Sequence, residues 1–337
     1  MQSHSVPKCL LEQFAYEQTA TKSLRLWRYA KGREPYPNAS PKTATRIDGY
    51  FSDPDNAQLE SEIEARLADE IEHPVHRFVR DISEPSFSMS ETQRRLLTRY
   101  ITLLFHRSQA RRKASKPLNE MMVGAFRNFL QNESQVATVA AHWGMSAHFD
   151  GIRLNRLITS ADIARAAEKY LKHFQTSDAE RETFMDGILR ARYSFDETIF
   201  NGEWRSVRTA QSSPFILSDS PVVTWERSGS RFSYGLGFHR ENVEVLLPVS
   251  PTTCLHILPA VKRTRAIISP SSEQINAAQA AFAYRDCFAN QLKAEIDSIV
   301  QTHISTIQIG RNAFISRNFD PSRIFYETLM SRQSNEP

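Results

Sequence analysis

Residues 90–113, SETQRRLLTRYITLLFHRSQARRK, carry the densest structural signal in the chain. Ser90 and Gln93 form an S-x-x-Q capping box, in which the serine oxygen accepts a backbone N–H of the first turn and the glutamine side chain returns a bond to the cap residue. A helix starts there. Leu96, Leu97, Tyr100, Ile101, Leu103, Leu104 and Phe105 cover more of its circumference than a surface helix needs, so this helix is read as mostly buried and central. It runs into His106, Arg107, Arg111, Arg112 and Lys113, which places cations where the helix dipole favours them. That end is either a charge-capped terminus or one wall of an anion site.

Working towards the N-terminus, Asn56 to Ile82 repeats Leu59, Ile63, Leu67, Ile71, Val75, Phe78 and Ile82 every three or four residues, the stripe of an amphipathic helix. Pro74 removes one backbone bond from it and predicts a kink or two abutting helices near Glu72. Before it, Ser23 to Ala30 alternates as a strand that ends in a turn at Gly32, Thr43 to Phe51 reads as a weaker strand, and EPYPNASP between them reads as a loop. Leu10, Leu11 and Phe14 follow Pro7 at helical spacing, with the proline suited to a first turn.

Towards the C-terminus, Leu118–Leu130, Glu133–Trp143, Ser160–Phe174 and a capped segment from Ser177 read as helices. From Glu203 the chain changes to short Val-, Ile-, Leu- and Thr-rich runs broken by Pro, Ser and Gly, which predict an antiparallel sheet. Ser271 to Val300, opening with a second S-x-x-Q box, returns to helix. Helices and strands do not alternate in βαβ units, so the fold class is α+β, mostly helical with a small antiparallel sheet. The expected layout is one composite domain over 1–325, with a strand and helix part (1–85), a helical part (90–200) and a β-rich part with a C-terminal helix (203–305); 326–337 form a frayed tail.

Composition narrows the function classes. The 337 residues hold 42 basic and 38 acidic side chains, a formal charge of +4, so any anion binding is local rather than spread over the surface. Cys9, Cys254 and Cys287 are scattered and contain no C-x-x-C, which excludes a zinc pattern and fits a reducing compartment. The first ten residues lack the layout of a signal peptide and no apolar run is long enough for a membrane span, so a cytoplasmic protein without a membrane partner is expected. None of the ten histidines lies in H-E-x-x-H; His73 and His76 with Glu72 could make a metal corner, against ordinary charge pairing on a helix face. There is no Walker motif and no G-x-S-x-G, and Gly235-Leu-Gly237 lacks the third glycine of a dinucleotide loop. No motif specifies a cofactor or a metal.

Ser218-Asp219-Ser220-Pro221 follows the apolar run FIL at a strand end, a rigid place for an active carboxylate. The same residues are ordinary turn formers, whose carboxylate bonds nearby backbone N–H groups. The arginines after the central helix suit phosphate or carboxylate through their forked donors.

SHSVPK near the start, the Glu64–Val79 helix, R-x-x-x-R-R after the central helix, FILSDSPV, LLPVSP and Ile275-Asn276 occur in an order that resembles the DUF4238 family, over residues 3 to about 290. The resemblance implies a shared domain but no activity, since the family has none assigned. Its H-x-V-P motif falls on His4 and Pro7, its arginine motif on Arg107 and Arg112, and its S-D-N-P motif on Ser218, Asp219 and Pro221. Ser5, Lys8, Gln109 and Ser220 depart from the residues usual in those motifs.

These positions give two expectations. In the first, His4, Arg107, Arg112 and Asp219, with Glu64 or Glu72, converge on a polar pocket. There the imidazole is an acid or base, the arginines hold an anion and the aspartate orients the histidine or binds a metal. That would be a nuclease-like or phosphoesterase enzyme with an anionic substrate or nucleic acid as partner. In the second, the same residues form a buried network that locks a non-enzymatic binding or regulatory module. Full burial with paired donors favours the second; an open pocket favours the first.

Overall fold

The computed structural model describes residues 2–48, 65–84, 86–110, 197–228, 231–234 and 237–306, with isolated positions at 124, 127–128, 131–134 and 137. The chain divides into two compact units, Met1–Lys113 with Phe184–Ile309, and Ala114–Thr183 with Gly310–Pro337. In the second unit, positions 124, 127–128, 133–134 and 137 are helical, in line with the helices expected over 118–130 and 133–143. The expected helices at 160–174 and after Ser177, and the tail at 326–337, lie outside the described residues.

In the first unit the order is β1 (Gln2–His4), α1 (Lys8–Gln13), β2 (Tyr16–Gln18), β3 (Ser23–Ala30), β4 (Tyr36–Ala39) and β5 (Arg46–Asp48). A π-helical turn (Ala68–Glu72) leads into α2 (His73–Val79) and a 3-10 turn (Asp81–Ser83), and then comes α3 (Glu91–His106). After the second unit follow α4 (Glu197–Phe200), β6 (Glu203–Arg208), β7 (Leu217–Ser218), β8 (Val223–Ser228), β9 (Arg231–Tyr234), β10 (Glu244–Ser250) and β11 (Thr253–Leu258). The described part closes with α5 (Ser272–Phe282), β12 (Asp286–Ala289) and α6 (Ala294–His303).

The central helix is as its pattern requires. Ser90 Oγ accepts from Gln93 N at 3.3 Å and Gln93 Oε1 accepts from Ser90 N at 2.9 Å, which closes the capping box. Leu97, Tyr100, Ile101, Leu103, Leu104 and Phe105 are all buried, and Thr98 and Thr102 sit in the apolar face by donating their hydroxyls to the carbonyls one turn back. Removing one of the buried leucines should cost roughly 2–5 kcal/mol. Of the kink or two abutting helices expected near Glu72, the structure shows abutting segments: the π turn, closed by His73 N on Ala68 O, runs directly into α2 with Pro74 in its first turn.

The strands form a two-stranded ribbon, β1 with β5, and two five-stranded antiparallel sheets. One runs β6-β11-β10-β8-β9; the other runs β2-β3-β12-β7 with β4 added on β3. The fold is therefore an α+β mix of helices and small antiparallel sheets, and the expectation of a mostly helical chain with one small sheet is corrected to that mix. Beside the short strands β1 and β2, two segments contribute to the difference. EPYPNASP contains β4, whose one proline, Pro37, lies where the pairing with β3 is irregular between Leu26 and Arg28. The helix expected over 271–300 is broken by β12, which inserts between β3 and β7 as an interior strand. All four of its residues are buried, so it lacks the period-2 alternation that marks a half-exposed strand.

Helix α3 lies in a core shared with Leu10 and Leu11 of α1, Ile71 and Val75, the strands β8, β10 and β11, and Ile275 and Phe282 of α5. A second cluster packs Ile296 and Val300 of α6 against Tyr29, Cys287 and Ala289 on the sheet that contains β3 and β12.

Candidate functional site

Three segments more than 100 residues apart meet where α3 ends. The Arg107 guanidinium donates to the His4 carbonyl at the end of β1. Gln109 Nε2 reaches Ser5 Oγ at 3.5 Å, and Ala110 N donates to Ser220 Oγ at 3.3 Å. The N-terminal, arginine and Ser-Asp-Ser-Pro motifs are therefore one junction. The segment after β7 is held there by α5, where Asn276 and Gln279, three residues apart on one helix face, act as substitute strand partners. Asn276 Oδ1 accepts from Ile216 N at 3.0 Å and its amide donates to Pro214 O at 2.9 Å. Gln279 Oε1 accepts from Ser218 N at 3.0 Å and from Ser218 Oγ at 2.8 Å, while its amide donates to Pro221 O at 2.8 Å. A side-chain amide offers the same donor and acceptor as a peptide group. This explains why Asn276 belongs to the motif set.

The functional side chains at this junction face inward. Arg107 is 1% exposed and its other terminal nitrogen pairs with Glu72 from the π turn. Glu72 in turn acts on Cys9 and Tyr100, which are bonded to each other: burial first, then the glutamate's charge, pushes the Cys9 thiol up to about 12. Tyr100 is raised well above its ordinary value, by burial first and then by Cys9 and Glu72. Cys9 is therefore a neutral thiol near pH 7, unsuited to nucleophilic work.

Asp219 is also 1% exposed. Its Oδ1 accepts from Tyr284 N at 2.7 Å and its Oδ2 from Arg285 N at 2.8 Å and Asp286 N at 3.1 Å. Ser220 Oγ donates to Oδ1 at 3.4 Å. Burial raises this carboxyl to about 6, assisted by Asp286 and opposed by the three backbone donors. The turn role anticipated for Asp219 is thus exercised at a distance, on the turn that feeds β12 rather than on its own. The local turn is made by Ser218, whose hydroxyl accepts Ser220 N at 3.3 Å.

The remaining expected residues are placed as follows. The His4 imidazole meets Lys42 O at 2.8 Å through Nε2, and no described bond joins it to Asp219 or to the Arg107 guanidinium. Arg112 and Glu64 lie outside the described residues. The backbone segments of His4, Arg107 and Asp219 are brought together, but their side chains are engaged separately. The His73/His76/Glu72 corner does not form: His73 Nδ1 faces Asp69 at 3.3 Å, Glu72 is taken by Arg107, and no group of three or more metal-ligating side chains occurs among the described residues.

Two polar clusters escape a reading of the sequence. Asp286 of β12, 2% exposed at its side chain, binds Arg28 of β3 in a fork at 2.8 and 3.0 Å and Arg285 at 2.7 Å. Its only sequence signal is an Arg-Asp pair inside a segment that reads as helix. Across the β6-β11-β10-β8-β9 sheet, His256 Nε2 meets Glu244 Oε2 at 2.6 Å, and Trp225 Nε1 donates to the same oxygen at 3.2 Å. These three sit on neighbouring strands, and only the register brings them together.

The geometry defines an antiparallel α+β domain whose motif loops are tied by buried side-chain bonds to backbone. No helix of the described residues is long and apolar enough to cross a membrane. The chain belongs to the DUF4238 family, described as a protein of unknown function, and the match spans residues 2–292. It covers the junction, β3 and β12. No curated protein and no solved structure matches the chain.

Proposed function

We propose that the protein is a binding or regulatory module, with the motif junction as the lock that holds β1, α3, β7 and β12 in register. The observation that carries this reading is the Asp219 carboxylate, 1% exposed with both oxygens committed to the backbone of 284–286. A general base or metal ligand has to present an oxygen to a substrate or ion, and this one presents none. Arg107 supports the same reading, because a guanidinium paired with Glu72 and a main-chain carbonyl is organising the fold rather than awaiting an anion. A nuclease-like or phosphoesterase activity acting through His4, Asp219, Arg107 and Arg112 would need this junction to open.

The test is Asp219→Ala examined for stability and for chemistry. Truncation strands three backbone donors at about 2 kcal/mol each, and relief of a buried charge whose carboxyl is raised to about 6 returns roughly 3 kcal/mol at pH 7. A net loss of about 3 kcal/mol in urea unfolding is expected, with no cleavage of labelled RNA or DNA by the wild type in Mg²⁺ or Mn²⁺. Cleavage that disappears in a variant of unchanged stability would overturn the module and restore the enzyme.

A further inference from the structure

The Arg28–Asp286–Arg285 cluster sets two guanidinium groups on one buried carboxylate. Arg28 already satisfies Asp286 with a two-pronged bridge, the strongest geometry open to that pair. Arg285 nevertheless adds its Nε to Asp286 Oδ2, the same oxygen that takes Arg28 Nη2. Two guanidinium groups are thus held side by side on one oxygen. The charge of Asp219 also reaches Arg285, but its oxygens bond the backbone of 284–286 and no described bond joins them to either guanidinium.

The unused donors point to where an anion would sit. Arg28 spends Nε and Nη2 on Asp286, and Arg285 spends Nε. Nη1 of Arg28 and both Nη groups of Arg285 have no bond among the described residues, and the side chains are 29% and 56% exposed while Asp286 is 2% exposed. The carboxylate is thus a brace behind two forks that face solvent. Each arginine has a tyrosine as a close neighbour in the fold. Tyr36 is the cross-strand partner of Arg28 and is 52% exposed. Tyr284, 37% exposed, precedes Arg285 and its phenol lies within electrostatic range of that guanidinium.

We propose that Arg28 and Arg285, braced on Asp286 and with Tyr36 and Tyr284 as neighbours, bind the phosphate of a small ligand that carries a planar ring, of the nucleoside mono- or diphosphate class. Two adjacent forked guanidinium groups match the several oxygens of a phosphate or diphosphate, and an exposed tyrosine beside them offers a face for a base. The site names a ligand class for the binding module and rests on that reading. It differs from the arginine site expected at Arg107 and Arg112, since Arg107 is spent on Glu72 and His4.

The experiment is calorimetric titration of the full chain with ADP, and in parallel with pyrophosphate, at low and moderate salt. Saturable one-site binding of ADP that weakens with salt is expected, and at least tenfold weaker binding in Arg285→Gln. That variant loses one hydrogen bond to Asp286 and leaves the Arg28 bridge in place, so its thermal unfolding should stay close to the wild type. Arg285→Lys, which keeps the charge and loses the fork, should fall between the two. Tyr284→Ala should weaken ADP more than pyrophosphate. No binding at millimolar ADP, or wild-type affinity in Arg285→Gln, would overturn the site; equal effects of Tyr284→Ala on both ligands would overturn the ring contact. Failure here while Asp219→Ala still destabilises the fold would remove the ligand assignment and leave the lock intact.

Discussion

Arg107→Met separates a structural arginine from an anion-binding one, because the two roles predict opposite effects on stability. Arg107 is 1% exposed and Glu72 has 17% of its side chain exposed, so methionine fills the aliphatic volume but leaves the glutamate facing the apolar end of α3, Tyr100 and Cys9. Stranding one member of a buried pair costs about 3–5 kcal/mol, and the residual exposure of Glu72 argues for the lower end, near 3. The lost bond to the His4 carbonyl adds about 1 kcal/mol. The sum, about 4 kcal/mol, is a large share of the 5–15 kcal/mol typical of a whole domain. Glu72→Gln removes the stranded charge, so the double variant should recover part of the loss and show a coupling of about 2 kcal/mol. The assay is urea unfolding followed by tryptophan fluorescence, with the wild type, both single variants and the double variant compared at a common slope. A loss under 1 kcal/mol for Arg107→Met, or single-variant effects that add within 0.5 kcal/mol, would refute the claim that this arginine is there for the fold.

Two further outcomes follow from the geometry. Because Asp219 has a folded value of about 6 against an ordinary 3.8, the folded chain holds a proton between those pH values that the unfolded chain has lost. Its stabilising contribution is therefore full below about pH 4 and falls as pH rises through 6, by up to roughly 3 kcal/mol. The stability gap between wild type and Asp219→Ala should shrink from pH 4.5 to pH 7.5 in urea titrations; a gap that widens with pH would mean that the three backbone donors outweigh burial. Gly202→Ala places a Cβ 2.5 Å from Leu258 O and 3.0 Å from Pro259 Cα, at the turn whose carbonyl accepts from Arg94. Forcing β6 off β11 in this way should cost about 1–3 kcal/mol, read as a fall in melting temperature, and an unchanged melting temperature would show that the turn yields freely.

What could be read from the chain alone was what is encoded within a turn or two of helix or along one half-exposed strand. Ser90 with Gln93, and Ser271 with Gln274, announce helix starts because both halves of each capping box lie within four residues. Strand β3 was legible to its ends, and the change of helical segment just before Pro74 followed from a missing N–H. The order of motifs was enough to place the chain in its family. Only the tertiary structure decided which charged residues are buried and what they hold. Arg107 and Glu72 are 35 residues apart, Asp219 and the Asp286 N–H it accepts are 67 apart, and Arg28 and Asp286 are 258 apart. An arginine at the end of a helix looks the same in sequence whether it faces solvent or a glutamate. The choice between anion wall and internal tie is made by what the chain closes over it. Strand β12 was hidden for a related reason: an interior strand buried on both faces carries no alternation, and it becomes a strand only when β3 and β7 pair on either side of it.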